Sequence, residues 1–219
     1  MLKGVIFDFD GTLFDSMLIW DTIGESYLRS LGKDPAADLQ RVLKPMSLLQ
    51  SAEYLQAHYQ IALSIQEICA GINQMVEDFY FNTVQPKPGV IELLEELHRR
   101  NIKMCIATAT DRYQVEAALA RCGMKQFFSE IFTCTEVGSG KDEPQLYHAA
   151  LAHLNTAQSN TLIVEDAYYA IQTAKQAGFS VVGVYDPYER NQSKVKSLSD
   201  IYLPDYSDLT ELWKFASAL

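Results

Sequence analysis

The stretch Val5-Ile6-Phe7-Asp8-Phe9-Asp10-Gly11-Thr12 decides the fold of this chain. Its apolar first half has the length and composition of a buried strand, and Gly11 ends that run. Residues two apart on a strand project to the same side, so Asp8 and Asp10 reach one strand end together. One carboxylate can then attack a substrate or bind a metal while its neighbour moves a proton. We therefore take Asp8 and Asp10 as the candidate catalytic pair.

The composition is that of an ordinary globular protein with a net negative charge. Of the 219 residues, 48% are hydrophobic and 21% are charged, and the formal net charge is -10 at pH 7. We expect no nucleic-acid partner, because phosphate backbones are bound by clustered Lys and Arg. We also expect no membrane partner and a cytoplasmic location, because no apolar run is long enough for a span or a signal peptide. The four cysteines have no paired spacing, which favours reduced thiols.

Short apolar runs alternate with helical patterns over most of the chain. The runs are 4–9, 102–108, 130–133, 160–165 and 180–184, and the helical patterns are 88–100, 112–122, 143–153 and 168–177. Residues 201–203 and 208–218 have the patterns of an edge strand and a closing helix. Strict alternation of strand and helix predicts an α/β fold with a doubly wound, Rossmann-like parallel sheet covered on both faces.

The alternation is interrupted once, after the first strand. Residues 16–83 contain helical patterns at 16–31, 46–60 and 64–83, the last opened by Ser64 and Glu67 with capping-box spacing. This pattern predicts an inserted helical-bundle domain. We expect residues 1–15 and 87–219 to form the α/β core, and residues 16–86 to form the inserted domain.

Three further groups fall at predicted strand ends, where open α/β sheets bind ligands. Thr108 and the following backbone amides, Ala109 included, can hold a phosphate oxygen at a helix N-terminus. Lys141 follows a glycine-rich loop and can neutralise an anion. Glu165 and Asp166 end an apolar run, and adjacent buried carboxylates require a counter-charge. Hard oxygen ligands of this kind favour Mg²⁺ over zinc.

Together, these groups resemble the haloacid dehalogenase superfamily of hydrolases. The resemblance covers essentially the whole chain. It rests on Asp-x-Asp-Gly-Thr at 8–12, Thr108, Lys141 and the acidic pair at 165–166, in that order, and on Pro-Gly at 88–89. A helical insertion at this position is similar to subfamily I, which includes enzymes of the β-phosphoglucomutase and phosphoglycolate phosphatase kinds. The resemblance implies a doubly wound core with a small helical cap domain.

The resemblance also implies a role for each matching residue. Asp8 would be the nucleophile that forms an aspartyl-phosphate, and Asp10 the acid and base. Gly11, Thr108, Ala109 and Lys141 would hold the phosphoryl oxygens. The Mg²⁺ ligands would come from Asp8, the carbonyl of Asp10, Glu165 and Asp166. The reaction expected is hydrolysis of a small phosphorylated metabolite, by a protein that is a monomer or a weak dimer.

Other activities of the same superfamily remain open from the sequence. Asp10 argues against carbon–halogen cleavage, since a halide needs no proton. A sugar phosphomutase usually has a His where this chain has Trp20, and an Arg where it has Leu48. Both differences argue against a mutase. A non-catalytic phosphate-binding module is a further alternative. Substrate contacts from the insertion are assigned to Met17, Trp20 and Lys44.

Overall fold

The apolar runs form six strands of one sheet in the computed structural model, which describes residues 1–43, 46 and 48–219. The strands are β1 (Gly4–Phe7), β2 (Lys103–Thr108), β3 (Ile131–Thr133), β4 (Thr161–Glu165), β5 (Ser180–Val184) and β6 (Ile201–Leu203). All neighbouring strands are parallel, in the order β3-β2-β1-β4-β5-β6. The predicted doubly wound α/β fold is confirmed.

Helices connect the strands and form the insertion. They are α1 (Met17–Ser30), α2 (Leu39–Leu43), α3 (Leu48–Tyr59), α4 (Ile65–Asn82), α5 (Val90–Arg99), α6 (Arg112–Arg121), α7 (Cys134–Val137), α8 (Gln145–Leu154), α9 (Tyr168–Gln176), α10 (Gln192–Leu198) and α11 (Thr210–Ala218). The sequence patterns did not predict α2, α7 and α10. These three have five, four and seven residues, which is too short for a helical period to be recognised.

Local signals set several helix ends as expected. Ser64 and Glu67 form the predicted capping box at the start of α4, which satisfies amide groups that the first turn leaves unpaired. Gly89 has a φ of 84° directly before α5, a backbone conformation that favours glycine.

Strand β1 lies in the middle of the sheet and ends two residues earlier than predicted. All four of its residues are buried, because a central parallel strand is covered on both faces. The chain leaves the sheet after Phe7 and turns, and the amides of Leu13 and Phe14 donate to the carbonyl oxygen of Phe9 at 3.0 and 2.9 Å. Asp8 is therefore the first residue beyond the strand.

The chain divides into two compact units. The first, the sheet unit, contains Met1–Ser16 and Val84–Leu219, and the second, the helical unit, contains Met17–Thr83. These limits lie one and three residues from the expected boundaries at 15/16 and 86/87. Among its described residues the helical unit has helices α1 to α4 and no strand, with a buried apolar core that includes Tyr27, Leu28 and Leu55.

Two short segments run side by side where the chain leaves and re-enters the sheet unit. The Asp15 amide donates to the Gln85 carbonyl at 3.0 Å, and the Lys87 amide donates to the Leu13 carbonyl at 2.9 Å. The Lys87 ammonium also forms an ion pair with buried Asp186 at 2.9 Å. These bonds fix the return segment to the strand ends of the sheet unit.

No helix within the described ranges has both the length and the apolar character needed to cross a membrane.

Candidate active site

Sheet register aligns the chemical groups that the sequence placed at separate strand ends. Phe7 pairs with Ile106 of β2 on one side and with Val164 of β4 on the other. Asp8 is therefore level with Glu165, and Thr108, the last residue of β2, lies two positions beyond Ile106 and pairs with Thr133 of β3. The chain runs outward from β1 to β3 and then returns to β4, so this edge is the topological switch point where such sheets bind ligands.

Asp8, Lys141 and Glu165 form a buried charged cluster. The Lys141 ammonium forms an ion pair with the Asp8 carboxylate and donates to Glu165 Oε2 at 2.8 Å. The Lys141 side chain is only 4% exposed. Burial alone would lower the pKa of Lys141, but the carboxylates of Asp8 and Glu165 raise it well above its usual value. Lys141 is therefore a permanent cation at this site.

Glu165 has partners on both carboxylate oxygens. Its Oε1 accepts from the backbone amides of Asp166 and Ala167, each at 3.2 Å, and its Oε2 accepts from Lys141. The hydroxyl of buried Tyr147 lies 3.5 Å from the same Oε2 atom. This arrangement orients Glu165 toward Lys141 and fixes the ammonium beside Asp8.

Asp166 lies against the glycine of the first motif. Its Oδ1 accepts a hydrogen bond from the Thr12 hydroxyl at 2.9 Å. Gly11 has a φ of 76°, and a Cβ built at this position would overlap the Asp166 carboxylate. Glycine is thus required at position 11 both by its backbone conformation and by the close approach of Asp166.

Asp10 is held by two hydroxyl groups. Ser16 Oγ donates to its Oδ1 at 2.6 Å, and Thr110 Oγ1 contacts its Oδ2. Asp10 is half-buried, whereas Asp8 is buried. The two carboxylates of the pair therefore differ in setting. Asp8 contacts an ammonium, and Asp10 accepts hydrogen bonds from two hydroxyl groups.

The predicted phosphate-binding turn follows β2. Thr108 is fully buried, and its Oγ1 accepts from the Thr110 amide at 3.1 Å. Ala109 is exposed. Arg112 follows this turn as the first residue of α6, and its guanidinium pairs with Glu130 and Glu136 at 2.8 and 2.6 Å.

Three carboxylates of this site have the geometry to hold a cation. Ligand oxygens of Asp8, Glu165 and Asp166 all lie within 4.8 Å of one another. Burial, and then the charge of Glu165, raises the pKa of Asp8 to about 7. Burial and the charges of Glu165 and Asp8 also raise the pKa of Asp166. When all three carboxylates are ionised, the single ammonium of Lys141 leaves a net charge of -2, which a divalent cation with oxygen ligands would neutralise.

Four supporting side chains of the site were not predicted from the sequence. They are the hydroxyl groups that contact the predicted carboxylates: Thr12, Ser16, Thr110 and Tyr147. Thr12, Ser16 and Thr110 lie within or beside the quoted motifs, but their roles depend on which carboxylate each one faces. Tyr147 lies on α8, and nothing in its local sequence indicates a contact with Glu165.

A cavity of about 430 Å³ lies in the helical unit. Two of the three predicted substrate residues, Met17 and Trp20, line it. The third, Lys44, lies outside the described residues. The indole N–H of Trp20 donates to the Tyr80 hydroxyl at 3.2 Å.

Comparisons with known proteins identify the family of this chain. The family model of haloacid dehalogenase-like hydrolases matches residues 5–184. A phosphorylated carbohydrates phosphatase of Thermotoga maritima is 26% identical over 199 residues, covering 91% of this chain and 88% of the relative. A phosphoglycolate phosphatase of Synechococcus elongatus is 25% identical over 214 residues, covering 96% of both chains.

The fold has a close counterpart among solved structures. A crystal structure from Thermotoga maritima, assigned as a β-phosphoglucomutase, superposes with a TM-score of 0.85 at 23% identity, covering 98% of this chain and 99% of the other. The family match includes every motif from Asp8 to Asp166. It confirms the predicted superfamily, and the two named phosphatases support the predicted enzyme class. The chain therefore belongs to the haloacid dehalogenase-like hydrolase family.

Proposed function

We propose that the protein is a Mg²⁺-dependent phosphatase that hydrolyses a small phosphorylated metabolite through an aspartyl-phosphate on Asp8. The observation that carries the proposal is the buried contact between Asp8 and Lys141 at the strand edge that also holds Asp10 and Asp166. A carboxylate beside a fixed ammonium is suited to receive a phosphoryl group, because the ammonium stabilises the charge that develops on the phosphoryl oxygens.

The carboxylates of Asp8 and Asp166, with the carbonyl of Asp10, would hold the cation. Glu165 was also assigned as a ligand, and its oxygens lie within the same 4.8 Å group. Its bonds to Lys141 and to two backbone amides favour a role in positioning the ammonium. When bound, Mg²⁺ supplies positive charge that offsets the repulsion between the carboxylates and the phosphate.

In the first step, an Asp8 oxygen attacks phosphorus, and the bond from phosphorus to the leaving alkoxide breaks. Asp10 gives its proton to that alkoxide, so that a neutral alcohol departs. Lys141, the Thr108 hydroxyl and the amides near Gly11 and Ala109 would hold the phosphoryl oxygens during transfer.

In the second step, Asp10 acts as the base. Its carboxylate takes a proton from water, and the oxygen of that water attacks the phosphorus of the aspartyl-phosphate. Inorganic phosphate leaves, Asp8 returns as a carboxylate, and Asp10 is protonated again. The hydroxyls of Ser16 and Thr110 keep the Asp10 carboxyl oriented in both steps.

The test is phosphate release from a panel of phosphorylated metabolites with Mg²⁺, combined with trapping of the intermediate. We expect acid quenching during turnover of a ³²P-labelled substrate to leave label on the protein, and hydroxylamine to remove it, as for an acyl phosphate. Formation of a phosphorylated isomer without free phosphate would instead indicate the mutase alternative. Absence of turnover across the panel and with a reactive aryl phosphate would favour the binding module.

We further propose that the helical unit is the cap domain of the enzyme, corresponding to residues 16–86 of the sequence prediction. The domain limits of the two units and the position of Met17 and Trp20 on a cavity support this proposal. The chemistry would then reside in the sheet unit, and substrate selection in the helical unit.

Replacing Asp10 by Asn should slow turnover of alkyl phosphates by about 10² to 10⁴-fold, the usual contribution of a general acid or base. The defect in transfer to Asp8 should be smaller for p-nitrophenyl phosphate, because nitrophenolate leaves without a proton. Single-turnover formation of the phosphoenzyme measures that step apart from its hydrolysis. An equal defect in this step for both esters would contradict the role of Asp10 as an acid.

Removing divalent cations with EDTA should abolish phosphate release, and added Mg²⁺ should restore it. The physical reason is that Asp8, Glu165 and Asp166 leave an uncompensated negative charge where the phosphate must bind. We expect Ca²⁺ to inhibit, because it favours more ligands at longer distances than Mg²⁺. Full activity in EDTA would contradict the assignment of a metal site.

The apparent affinity for Mg²⁺ should increase as the pH rises from about 6 to about 8. The pKa of Asp8 is raised to about 7 in the cation-free protein, so binding below that pH must displace a proton, which weakens affinity by up to about tenfold per unit for each proton. Calorimetric titrations in buffers of different ionisation enthalpy would measure the proton release. An affinity that is flat over this range would show that Asp8 is already ionised or is not a ligand.

A further inference from the structure

Tyr206 is a buried tyrosine near the end of the chain that bonds to the first motif. It follows β6, is 4% exposed, and donates its hydroxyl to the backbone carbonyl of Thr12 at 3.0 Å. The two residues are 194 positions apart in the sequence. Both groups are buried, and a buried polar group without a partner is costly, which favours keeping this bond formed. The contact therefore ties the turn after β1 to the C-terminal part of the sheet unit.

Thr12 makes a second contact through its side chain. Thr12 is fully buried, and its hydroxyl donates to Asp166 Oδ1 at 2.9 Å. The carbonyl that Tyr206 holds and the hydroxyl that Asp166 accepts belong to one residue, so a shift of the Thr12 backbone moves both. The neighbouring backbone already packs closely on the same carboxylate, because a Cβ at Gly11 would overlap it. The placement of the Thr12 backbone therefore sets the orientation of Asp166.

The backbone of Tyr206 is fixed by two contacts of its own. Gly89 packs against it so closely that a Cβ at position 89 would overlap the Cβ and the carbonyl oxygen of Tyr206. Asp205 closes a turn around Tyr206, because its Oδ1 accepts from the Ser207 amide at 2.7 Å, a bond that is typical of aspartate in turns. The Tyr206 hydroxyl thus reaches Thr12 from a backbone that is itself held in place.

From these contacts we infer that Tyr206 is a positioning residue for Asp166. Its hydroxyl holds the Thr12 backbone, and the Thr12 hydroxyl orients the Asp166 carboxylate. The inference rests on the proposed function, in which Asp166 is a ligand of Mg²⁺. Tyr206 acts through Thr12 and takes no part in the chemistry. Its effect is on cation affinity, since partners that orient metal ligands typically contribute about 10- to 100-fold.

The first test is calorimetric titration of the cation-free protein with Mg²⁺ alone. Tyr206→Phe removes one hydroxyl and keeps the ring. We expect it to weaken Mg²⁺ binding by about tenfold, the low end of the usual range, because Tyr206 lies one hydrogen bond further from the ligand. Thr12→Val removes the hydroxyl that contacts Asp166 and should weaken binding at least as much. An unchanged affinity in Tyr206→Phe would overturn the inference.

Tyr202→Phe is the matched control. Tyr202 lies on β6, shortly before Tyr206, and its hydroxyl donates to Gln192 Oε1 at 3.2 Å. The substitution removes a bonded hydroxyl from the same part of the chain and leaves the contact with Thr12 intact, so Mg²⁺ affinity should stay within about twofold. An equal loss in the two variants would overturn the inference, because the effect would not depend on the bond to Thr12.

A double variant tests whether Tyr206 acts through Thr12. If the two hydroxyls form one chain of contacts, Tyr206→Phe should weaken Mg²⁺ binding by less than about twofold once Thr12 is replaced by Val, because the link to Asp166 is already broken. Additive losses would overturn the inference, since Tyr206 would then affect the cation by a route that bypasses the Thr12 hydroxyl.

Urea unfolding separates this role from a purely structural one. Tyr206→Phe leaves the Thr12 carbonyl without this donor and should lower stability. Mg²⁺ raises the free energy of unfolding by an amount that depends on its affinity for the folded protein, even where a variant is less stable. We expect a smaller increase in Tyr206→Phe than in the original protein or in Tyr202→Phe. Equal increases would overturn the inference and leave Tyr206 a structural role alone.

Asp166→Asn separates failure of this inference from failure of the proposed function. We expect it to weaken Mg²⁺ binding more than Tyr206→Phe does, because it alters the ligand itself. If Asp166→Asn binds Mg²⁺ as tightly as the original protein, the proposed metal site is wrong and the inference is wrong with it. If Asp166→Asn loses binding while Tyr206→Phe retains it in full, the metal site stands and only the inference is overturned.

Discussion

Asp8→Asn should reduce phosphate release by at least about 10⁴-fold, in line with the loss of a nucleophile in other enzymes that form covalent intermediates. The amide closely matches the shape of the carboxylate but cannot attack phosphorus. Phosphate release under saturating Mg²⁺, with Asp8→Ala beside it, measures the loss. The labelled intermediate should be absent from both variants after acid quenching.

The stability of Asp8→Asn serves as the control for folding. A carboxyl group whose pKa is raised to about 7 in the folded, cation-free protein binds more protons there than in the unfolded chain. Its ionisation therefore lowers stability as the pH rises from about 4 to about 7, and the full loss is present above that range. Urea unfolding in EDTA at pH 8 should find Asp8→Asn at least as stable as the original protein.

The activity of Asp8→Asn decides the assignment of Asp8 as nucleophile. If the variant kept more than about a hundredth of the original activity, the loss of transition-state stabilisation would be under ~3 kcal/mol, and this result would contradict the assignment.

Lys141→Met should impair both activity and stability. The ammonium contacts two buried carboxylates, Asp8 and Glu165, and removing one partner of a buried ion pair typically costs about 3–5 kcal/mol. Without the ammonium, the pKa of Asp8 rises further, so the loss of stability should be larger at pH 8 than at pH 5.5. Urea unfolding at the two pH values in EDTA measures this dependence.

Two controls separate this effect from the loss of any lysine. Lys125 is 63% exposed and lies 3.6 Å from Glu116, so Lys125→Met should change stability by no more than about 1 kcal/mol. In the double variant of Asp8→Asn and Lys141→Met, the cost of losing Lys141 should shrink, because one of its two anions is gone. A pH-independent cost, unchanged by the Asp8 substitution, would mean that Lys141 acts through packing and not through its charge.

Much of the sheet unit could be predicted from local sequence. The apolar runs become strands because a parallel sheet covered on both faces needs continuous apolar residues, and all of β1 is buried accordingly. The positive φ of Gly11 and the Ser64 capping box are equally local signals, since each depends on backbone geometry within a few residues, whereas the approach of Asp166 to Gly11 is not local. The helical unit was predictable as helical, but α2 has only five residues and was missed.

The supporting contacts of the site were beyond the reach of sequence patterns. Thr110 and Asp10 are 100 residues apart, and Tyr147 and Glu165 are 18 apart. A hydroxyl has no sequence feature that specifies which carboxylate it will face. That choice depends on strand register and on helix rotation, which are set by the packing of the whole core.

The sequence by itself determined that two carboxylates and an acidic pair lie at the ends of parallel strands, that a lysine follows a glycine-rich loop, and that helices interrupt the alternation once. It did so because strand periodicity and chain breaks are local properties. Only the tertiary structure decided that Lys141 contacts Asp8 and Glu165 together, and that Asp8 is a buried group with a raised pKa. The physical reason is that ion pairing and desolvation depend on distances and burial between segments far apart in the chain, and these exist only after the sheet has assembled.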